Sequence, residues 1–326
     1  MRYPASEKME IIRLVEQSHL PKRRTLDKLG ILPVTFYRWY DRYVTGGFEA
    51  LEDKPSRPKR VWNRIPDDVR DQIVGLALDQ PDLSPRELAV RFTDTKKYFV
   101  SEASVYRLLK SHDLITSPAF IVMKASDEFK DKTTAPNQLW QTDFTYLKVT
   151  GWGWFYLSTI LDDFSRYIIT WKLCTTMKAE DVTDTLEDAL RASGCDQARV
   201  IHKPRLLSDN GSSYISGDLA EWLDKKKMEH VRGAPYHPQT QGKIERWHQT
   251  LKNRILLENY FLPGDLEASI DRFVAHYNHQ RYHESINNLT PADVYFGRGQ
   301  TILLERERIK RNTINQRRLQ HQNKAA

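Results

Sequence analysis

Cysteine is nearly absent from this 326-residue chain, with Cys174 and Cys195 the only two. That excludes a disulfide framework and a cysteine-based zinc site. Long apolar runs are missing too: none approaches the roughly 18 residues of a membrane span, so no membrane partner is expected. The opening residues, Met-Arg-Tyr-Pro-Ala-Ser-Glu-Lys, become mixed-charge at once and offer no apolar signal core. A cytoplasmic protein is the simplest expectation. A large excess of either charge is also lacking, since 50 Lys+Arg against 43 Asp+Glu leave +7. The excess lies at the ends: residues 1–65 carry +6, residues 301–326 carry +5, and residues 66–300 sum to −4. Ends of this kind are expected to meet a polyanion while the middle performs another task. With 40% hydrophobic and 29% charged residues the composition is that of a folded globular protein. At roughly 100–200 residues per domain, the length predicts two or three domains.

The first hundred or so residues read as short amphipathic helices. Ser6 to Gln17 sets Met9, Ile12 and Leu14/Val15 at helical spacing. Thr25 to Leu29 is a second helix, stopped by Gly30, and Leu32-Pro33 opens a third that runs to Val44 and closes at Gly46-Gly47. A short helix, a glycine turn and a longer helix make a helix-turn-helix pattern. Among the apolar Val34, Phe36, Trp39 and Tyr40 of the third helix stand Thr35, Tyr37, Arg38, Asp41 and Arg42; Thr35, Tyr37, Arg38 and Arg42 are candidate DNA contacts. A second unit follows. Its first helix is expected from Pro66 to Leu78, and Ser84-Pro-Arg-Glu87 is a capping box that starts the next. From Ser101 a further helix turns Val105, Leu108 and Leu109 inward and leaves Ser104, Tyr106, Arg107 and Lys110 outside, with Ser104, Arg107 and Lys110 candidate DNA contacts. Between the units, Lys54 to Arg64 holds five basic residues, two prolines and no acid. Arg57, Lys59, Arg60 and Arg64 on such an extended arm suit a DNA minor groove; a plain solvated linker is the other reading.

From Asn137 the pattern turns to β. Leu139–Leu147 alternates, and Trp154–Leu161 and Tyr167–Leu173 are rich in β-branched and aromatic residues. Helices are expected over Lys178–Ala192, Ile215–Lys226 and about Thr240 to Asn259, with short strands at Arg205–Ser208 and Met228–Val231. Three strands followed by alternating helices and strands predict a mixed sheet with helices packed on it.

Three carboxylates stand out by placement: Asp143 within an apolar strand, Asp209 at the end of a short strand, and Glu245 on the long helix. A buried aspartate in an apolar strand is costly unless paired or bound to a metal. Magnesium takes hard oxygen ligands and keeps several waters, so a few carboxylates suffice. Two such ions about 3.5–4 Å apart suit phosphodiester chemistry. Asp162 and Asp163, in Asp-Asp-Phe-Ser-Arg166, read instead as a turn with a local Arg166 contact. On the Glu245 helix, Gln249 and Lys252 share its face and are expected near a DNA end; for Lys243 and Arg246 a solvated face serves equally well.

Residues 137–297 resemble the DDE integrase core of retroviral integrases and bacterial insertion-sequence transposases. The resemblance rests on Trp140-Gln-Thr-Asp-Phe-Thr-Tyr146, Asp163-Phe-Ser-Arg166, Ser208-Asp-Asn-Gly211, and His237-Pro-Gln-Thr-Gln-Gly-Lys-Ile-Glu-Arg-Trp-His-Gln-Thr-Leu-Lys252. The 35 residues between Asp209 and Glu245 match the family's spacing, and Tyr277–His283 and Leu289–Tyr295 look like the closing segment of insertion-sequence enzymes. The resemblance implies a multidomain protein, with all-α helix-turn-helix domains before an α/β ribonuclease-H-like core that has a mixed five-stranded sheet. It implies Asp143, Asp209 and Glu245 as catalytic triad and metal ligands, with two Mg2+ ions per site that Mn2+ can replace. It also implies double-stranded DNA partners (terminal inverted repeats and target), hydrolytic nicking, strand transfer of the 3′-hydroxyl, and a homo-oligomer, at least a dimer on paired ends. The alternative is a DNA-binding regulator or domesticated relic with an inactive core.

The expected organisation is a first helix-turn-helix domain at 1–50, a basic linker at 51–65, a second helix-turn-helix domain at 66–115 and a linker at 116–136. The catalytic core follows at 137–260, a helical extension at 261–300 and a basic tail at 301–326. That tail reads either as a nonspecific DNA contact or as a disordered end. His237, His248, His276, His279 and His283 read as polar contacts around the site rather than zinc ligands.

Overall fold

The computed structural model describes residues 3–52, 62–115, 133–197, 202–232 and 242–323. The chain divides into two compact units, Met1–Trp62 and Asn63–Ala326. The first contains α1 (Ala5–Gln17), α2 (Lys22–Leu29) and α3 (Pro33–Gly46), followed by a 3-10 turn at Phe48–Leu51. Helical spacing turns Ile11, Ile12 and Val15 inward, where they meet Leu26, Phe36, Trp39 and Leu51 in one core. At the end of α2, Gly30 adopts a φ of 66° and Ile31 N–H bonds the Leu26 carbonyl at 3.0 Å, which reverses the chain toward α3. This helix begins at Lys22 rather than Thr25, because its first turn is Lys-Arg-Arg and carries no apolar signal.

In the second unit, α4 (Asp67–Asp79), α5 (Pro85–Lys96) and α6 (Glu102–Ser111) close around Ile73, Leu88, Phe92 and Val105. The capping box is made: Ser84 Oγ accepts from Glu87 N–H at 3.3 Å, and Ser84 N–H donates to Glu87 Oε2 at 3.0 Å.

The sheet that follows has five strands: β1 (Leu139–Val149), β2 (Gly153–Asp162), β3 (Ile168–Cys174), β4 (Arg205–Ser208) and β5 (His230–Arg232). Their order is β3-β2-β1-β4-β5. The pairs β1/β2 and β2/β3 are antiparallel, whereas β1/β4 and β4/β5 are parallel. Side-chain alternation divides the core between two faces. Trp140 and Ile160 pack beneath α7 (Ala179–Ser193) and α9 (Gly217–Lys226), together with Val182, Leu186 and Leu219. Leu147, Val149, Leu157 and Leu161 pack beneath α10 (Gly242–Ile255) and α11 (Pro263–His279), together with Ile244, Trp247, Leu251 and Ile270. In place of the single helix expected over Ile215–Lys226, the chain makes a short turn of helix, α8 (Ser212–Ile215), and restarts where Ser216 Oγ caps Leu219 N–H. On α11, Asn278 bonds both the N–H and the carbonyl of Ile168, standing in for a further strand at that position.

After α12 (Pro291–Tyr295), the basic segment 301–326 is helical through Asn323 as α13 (Gly299–Asn323). Two of its arginines are turned inward. Arg306 grips Asp94 of α5 through Nε at 2.8 Å and Nη2 at 2.7 Å. Arg317 donates to the Tyr98 hydroxyl, the Asn63 side-chain carbonyl and the Phe99 carbonyl at 2.8–2.9 Å. These multidentate contacts tie the second helical bundle to the C-terminal helix.

Candidate active site

Asp143 lies midway along β1 on the face covered by α10, with its side chain 24% exposed. One strand over, the parallel register pairs Gln141 with Leu207. Asp143 and Asp209 each lie two residues farther along, so they stand side by side at the C-terminal end of β4. Glu245 comes from the first turn of α10. Its carboxyl is pushed above the usual value, first by partial burial and then by the Asp143 carboxylate, with His248 opposing. The buried Tyr214 hydroxyl is likewise pushed up, by burial first and then by the charges of Asp143 and Asp209. Asp143 thus acts on Glu245, and Asp143 and Asp209 both act on the Tyr214 hydroxyl.

Two of the acids are also held by neighbours. His248, buried one helical turn after Glu245, places Nδ1 3.3 Å from Asp143 Oδ2. Phe144 N–H donates to Asp143 Oδ1 at 2.8 Å. Gly211 N–H donates to Asp209 Oδ1 at 2.9 Å. A Cβ at position 211 would lie 3.0 Å from that same oxygen, so the glycine in Asp-Asn-Gly allows the close approach. Among the described residues, no three His, Cys, Asp or Glu side chains are gathered tightly enough to hold a metal ion. The donor set nevertheless suits a hard divalent cation: it is all carboxylate oxygen, and a bound cation would offset both the burial of Glu245 and the repulsion from Asp143.

The paired Asp162 and Asp163 have separate roles. Asp162 closes a turn, accepting from Asn137 N–H at 2.7 Å, Ser165 N–H at 2.8 Å and Ser165 Oγ at 2.6 Å. Asp163 takes its close cation from α10, with Lys243 Nζ 2.8 Å from its Oδ2, while the expected Arg166 acts on it through charge and donates its N–H to the Asp162 carbonyl at 2.8 Å. That places Lys243 on a carboxylate rather than on the solvated face that was one of its two readings. Tyr214 and Gln141 join the site without having been singled out by the sequence pattern, whereas His248, expected as a polar contact around the site, lies three residues after Glu245 on the same helical face.

The remaining candidates fall as follows. On α3, Tyr37, Arg38 and Arg42 are exposed and Thr35 is half-buried. On α6, Arg107 and Lys110 are exposed, while Ser104 is half-buried with its hydroxyl 2.9 Å from that of Ser101 at the helix cap. Arg64 is exposed and pairs with Asp67 at 3.2 Å. Gln249 is exposed on α10, and Lys252 stacks its ammonium 4.3 Å from the Tyr146 ring centre. Arg57, Lys59, Arg60 and His237 lie outside the described residues.

Comparison with known proteins bears on the chain in several segments. Integrase core domain families match residues 133–238 and 226–291. A homeodomain-like domain family matches 35–109 and a helix-turn-helix domain family matches 7–59. Transposase InsF of insertion sequence IS3A from Escherichia coli is 24% identical over 258 residues, covering 78% of this chain and 82% of that protein. The transposase of insertion sequence element IS904 from Lactococcus lactis is 26% identical over 164 residues, covering 50% of this chain and 62% of that one. The Gag-Pro-Pol polyprotein of squirrel monkey retrovirus is 34% identical over 121 residues, which is 37% of this chain and 6% of the polyprotein. The chain therefore matches integrase core domains behind helix-turn-helix domains and is similar to the transposases of insertion sequences IS3A and IS904.

Proposed function

We propose that the protein is a metal-dependent DNA transposase, a nuclease and polynucleotidyl transferase. It binds the terminal inverted repeats of a mobile element, nicks their ends by hydrolysis and joins the 3′-hydroxyl to target DNA. The observation that carries this reading is the placement of Asp143 on β1 and of Asp209 one residue past the adjoining parallel strand β4, with Glu245 close enough to feel the Asp143 charge.

Asp143, Asp209 and Glu245 hold the divalent cations, two Mg2+ or Mn2+ per site. When bound, these ions lower the pKa of a water or sugar hydroxyl and neutralise charge on the leaving oxygen. The protein's own side chains prepare that arrangement. His248 fixes one oxygen of Asp143, and Gly211 N–H fixes one oxygen of Asp209. Lys252 and Gln249 extend the Glu245 face along α10 and bind the backbone of the DNA end. The exposed residues of α3 and α6 recognise the repeat, and two copies of the chain assemble when two ends are paired.

Strand transfer of a pre-cut element end into plasmid DNA, with magnesium or manganese, tests the proposal. Asp143→Asn, Asp209→Asn and Glu245→Gln should each lower the rate by about 10³-fold or more while leaving DNA affinity near wild type. Full activity in any of the three would refute the triad.

A further inference from the structure

We infer that Asp163, Gln141 and Lys243 form a latch that sets the position of Glu245, an inference that rests on the triad proposed above. Gln141 lies on β1 two residues before Asp143, on the same face, and is 2% exposed. Its Nε2 donates to Asp163 Oδ1 at 2.7 Å, and its Oε1 accepts from Ile244 N–H at 3.1 Å. Lys243 Nζ completes the ring, lying 2.8 Å from Asp163 Oδ2 and donating to the Asp163 carbonyl at 2.8 Å. Thr133 Oγ1 donates to Asp163 Oδ2 at 2.6 Å. Three segments distant in sequence therefore meet at one carboxylate: the strand that carries Asp143, the turn between β2 and β3, and the first turn of the helix that carries Glu245.

This arrangement suits a helix start. The first four N–H groups of a helix have no partner within it, and Gln141 supplies one to Ile244. A carboxylate beside that end is also favoured by the helix dipole, which adds to the pull of Lys243 on Asp163. A nearly buried carboxylate is tolerable only with such partners, and Asp163 has three besides its own carbonyl contact. The consequence is geometric. Gln141 and Asp143 move together on β1, and Ile244 and Glu245 are consecutive on α10. The Gln141–Ile244 bond therefore transmits the strand position directly to the distance between Asp143 and Glu245. Asp163 and Lys243 keep the Gln141 amide turned the right way, with its carbonyl toward the helix. All three are positioning residues, since none needs to touch DNA or cation.

Lys243→Met and Gln141→Leu should each reduce kcat for strand transfer of a pre-cut end about 10–100-fold, the scale of roughly 1 Å misplacement. KM for the DNA end should stay within about twofold, because uniform binding is untouched. The double variant should lose no more than the worse single, as for residues acting as one unit. Lys243→Arg, which keeps the cation, should recover most of the rate. Independently of activity, amide hydrogen exchange at Ile244 and Glu245 should quicken about tenfold in Gln141→Leu, while Leu251 and Ile255 at the far end of α10 keep wild-type rates. Glu245→Gln should abolish strand transfer without changing Ile244 exchange. Unchanged kcat, unchanged Ile244 exchange, or exchange quickened evenly along the whole helix would each overturn the latch. A wild-type chain inert in strand transfer would sink the proposed function instead, and the exchange measurement would still decide on the latch.

Discussion

The two helix-turn-helix units share a plan and differ in what holds them together. In α1–α3 the apolar core is closed by a contact of the unit's own, Lys8 Nζ donating to the Leu51 carbonyl at 3.0 Å. In α4–α6 the equivalent apolar core is supplemented by arginines from α13, over 200 residues away in sequence. The first bundle is thus a self-contained module. The second is part of the unit that contains the sheet, so α6 is built into the same body as the carboxylates. A shared motif can stand either as a separate bundle or as a fixed extension of the sheet unit, depending on where its polar ties go.

Emptying one core tests that contrast most severely. Phe36 is 1% exposed, and Phe36→Ala should destabilise the first bundle by about 3–5 kcal/mol. Calorimetry should show its transition lost and that of residues 63–326 unmoved; a shift in both would remove the distinction. A smaller effect is expected from cutting the tie of the second bundle. Arg306→Ala leaves the Asp94 carboxylate, among the described residues, with the Tyr282 hydroxyl at 3.3 Å, and should cost about 2–3 kcal/mol, below the figure for a fully buried pair. Urea unfolding of the second unit measures it, and Asp94→Ala in the same chain should add little. The gentlest probe is acid. His283, beside the seam where Arg86 meets Asn288 and Glu284, is pushed from 6.5 down to about 3, by burial first and then by Arg281, Arg166 and Arg86. The folded protein keeps this ring neutral while the unfolded chain protonates it. Stability of the second unit is therefore complete above about pH 6.5 and falls as pH drops toward 3, by at most about 1.4 kcal/mol per pH unit. His283→Gln should flatten that slope; an unaltered slope would place the acid sensitivity elsewhere.

Local chemistry is legible in the amino-acid order itself. Ser84 and Glu87 announce α5, Gly30 announces the end of α2, and alternation announces β1 through β3, because each signal is carried by residues within a turn or two of its effect. The three acids stand out because a carboxylate in an apolar strand is conspicuous. Long-range polar pairing is not legible in this way. Nothing near Asp163 indicates that its cation lies 80 residues ahead at Lys243 rather than beside it at Arg166. Nor does α13 advertise itself: it has a weak apolar stripe, and what seats it on α5 is guanidinium hydrogen bonding by Arg306 and Arg317, which in sequence looks like a loose basic end. Tyr214 enters the site for a similar reason, through packing on Phe144 that no local pattern encodes.

Lys252 resting on Tyr146 has a kinetic meaning. An ammonium held over a ring is already partly stripped of water, and its side chain is already restricted. On the proposed function, a phosphate of the DNA end would draw the lysine from the electron-rich ring face over a short swing, with little rotamer freedom left to lose. The aromatic ring acts as a holster, so that the charge is drawn in a fixed direction along the helix that carries Glu245.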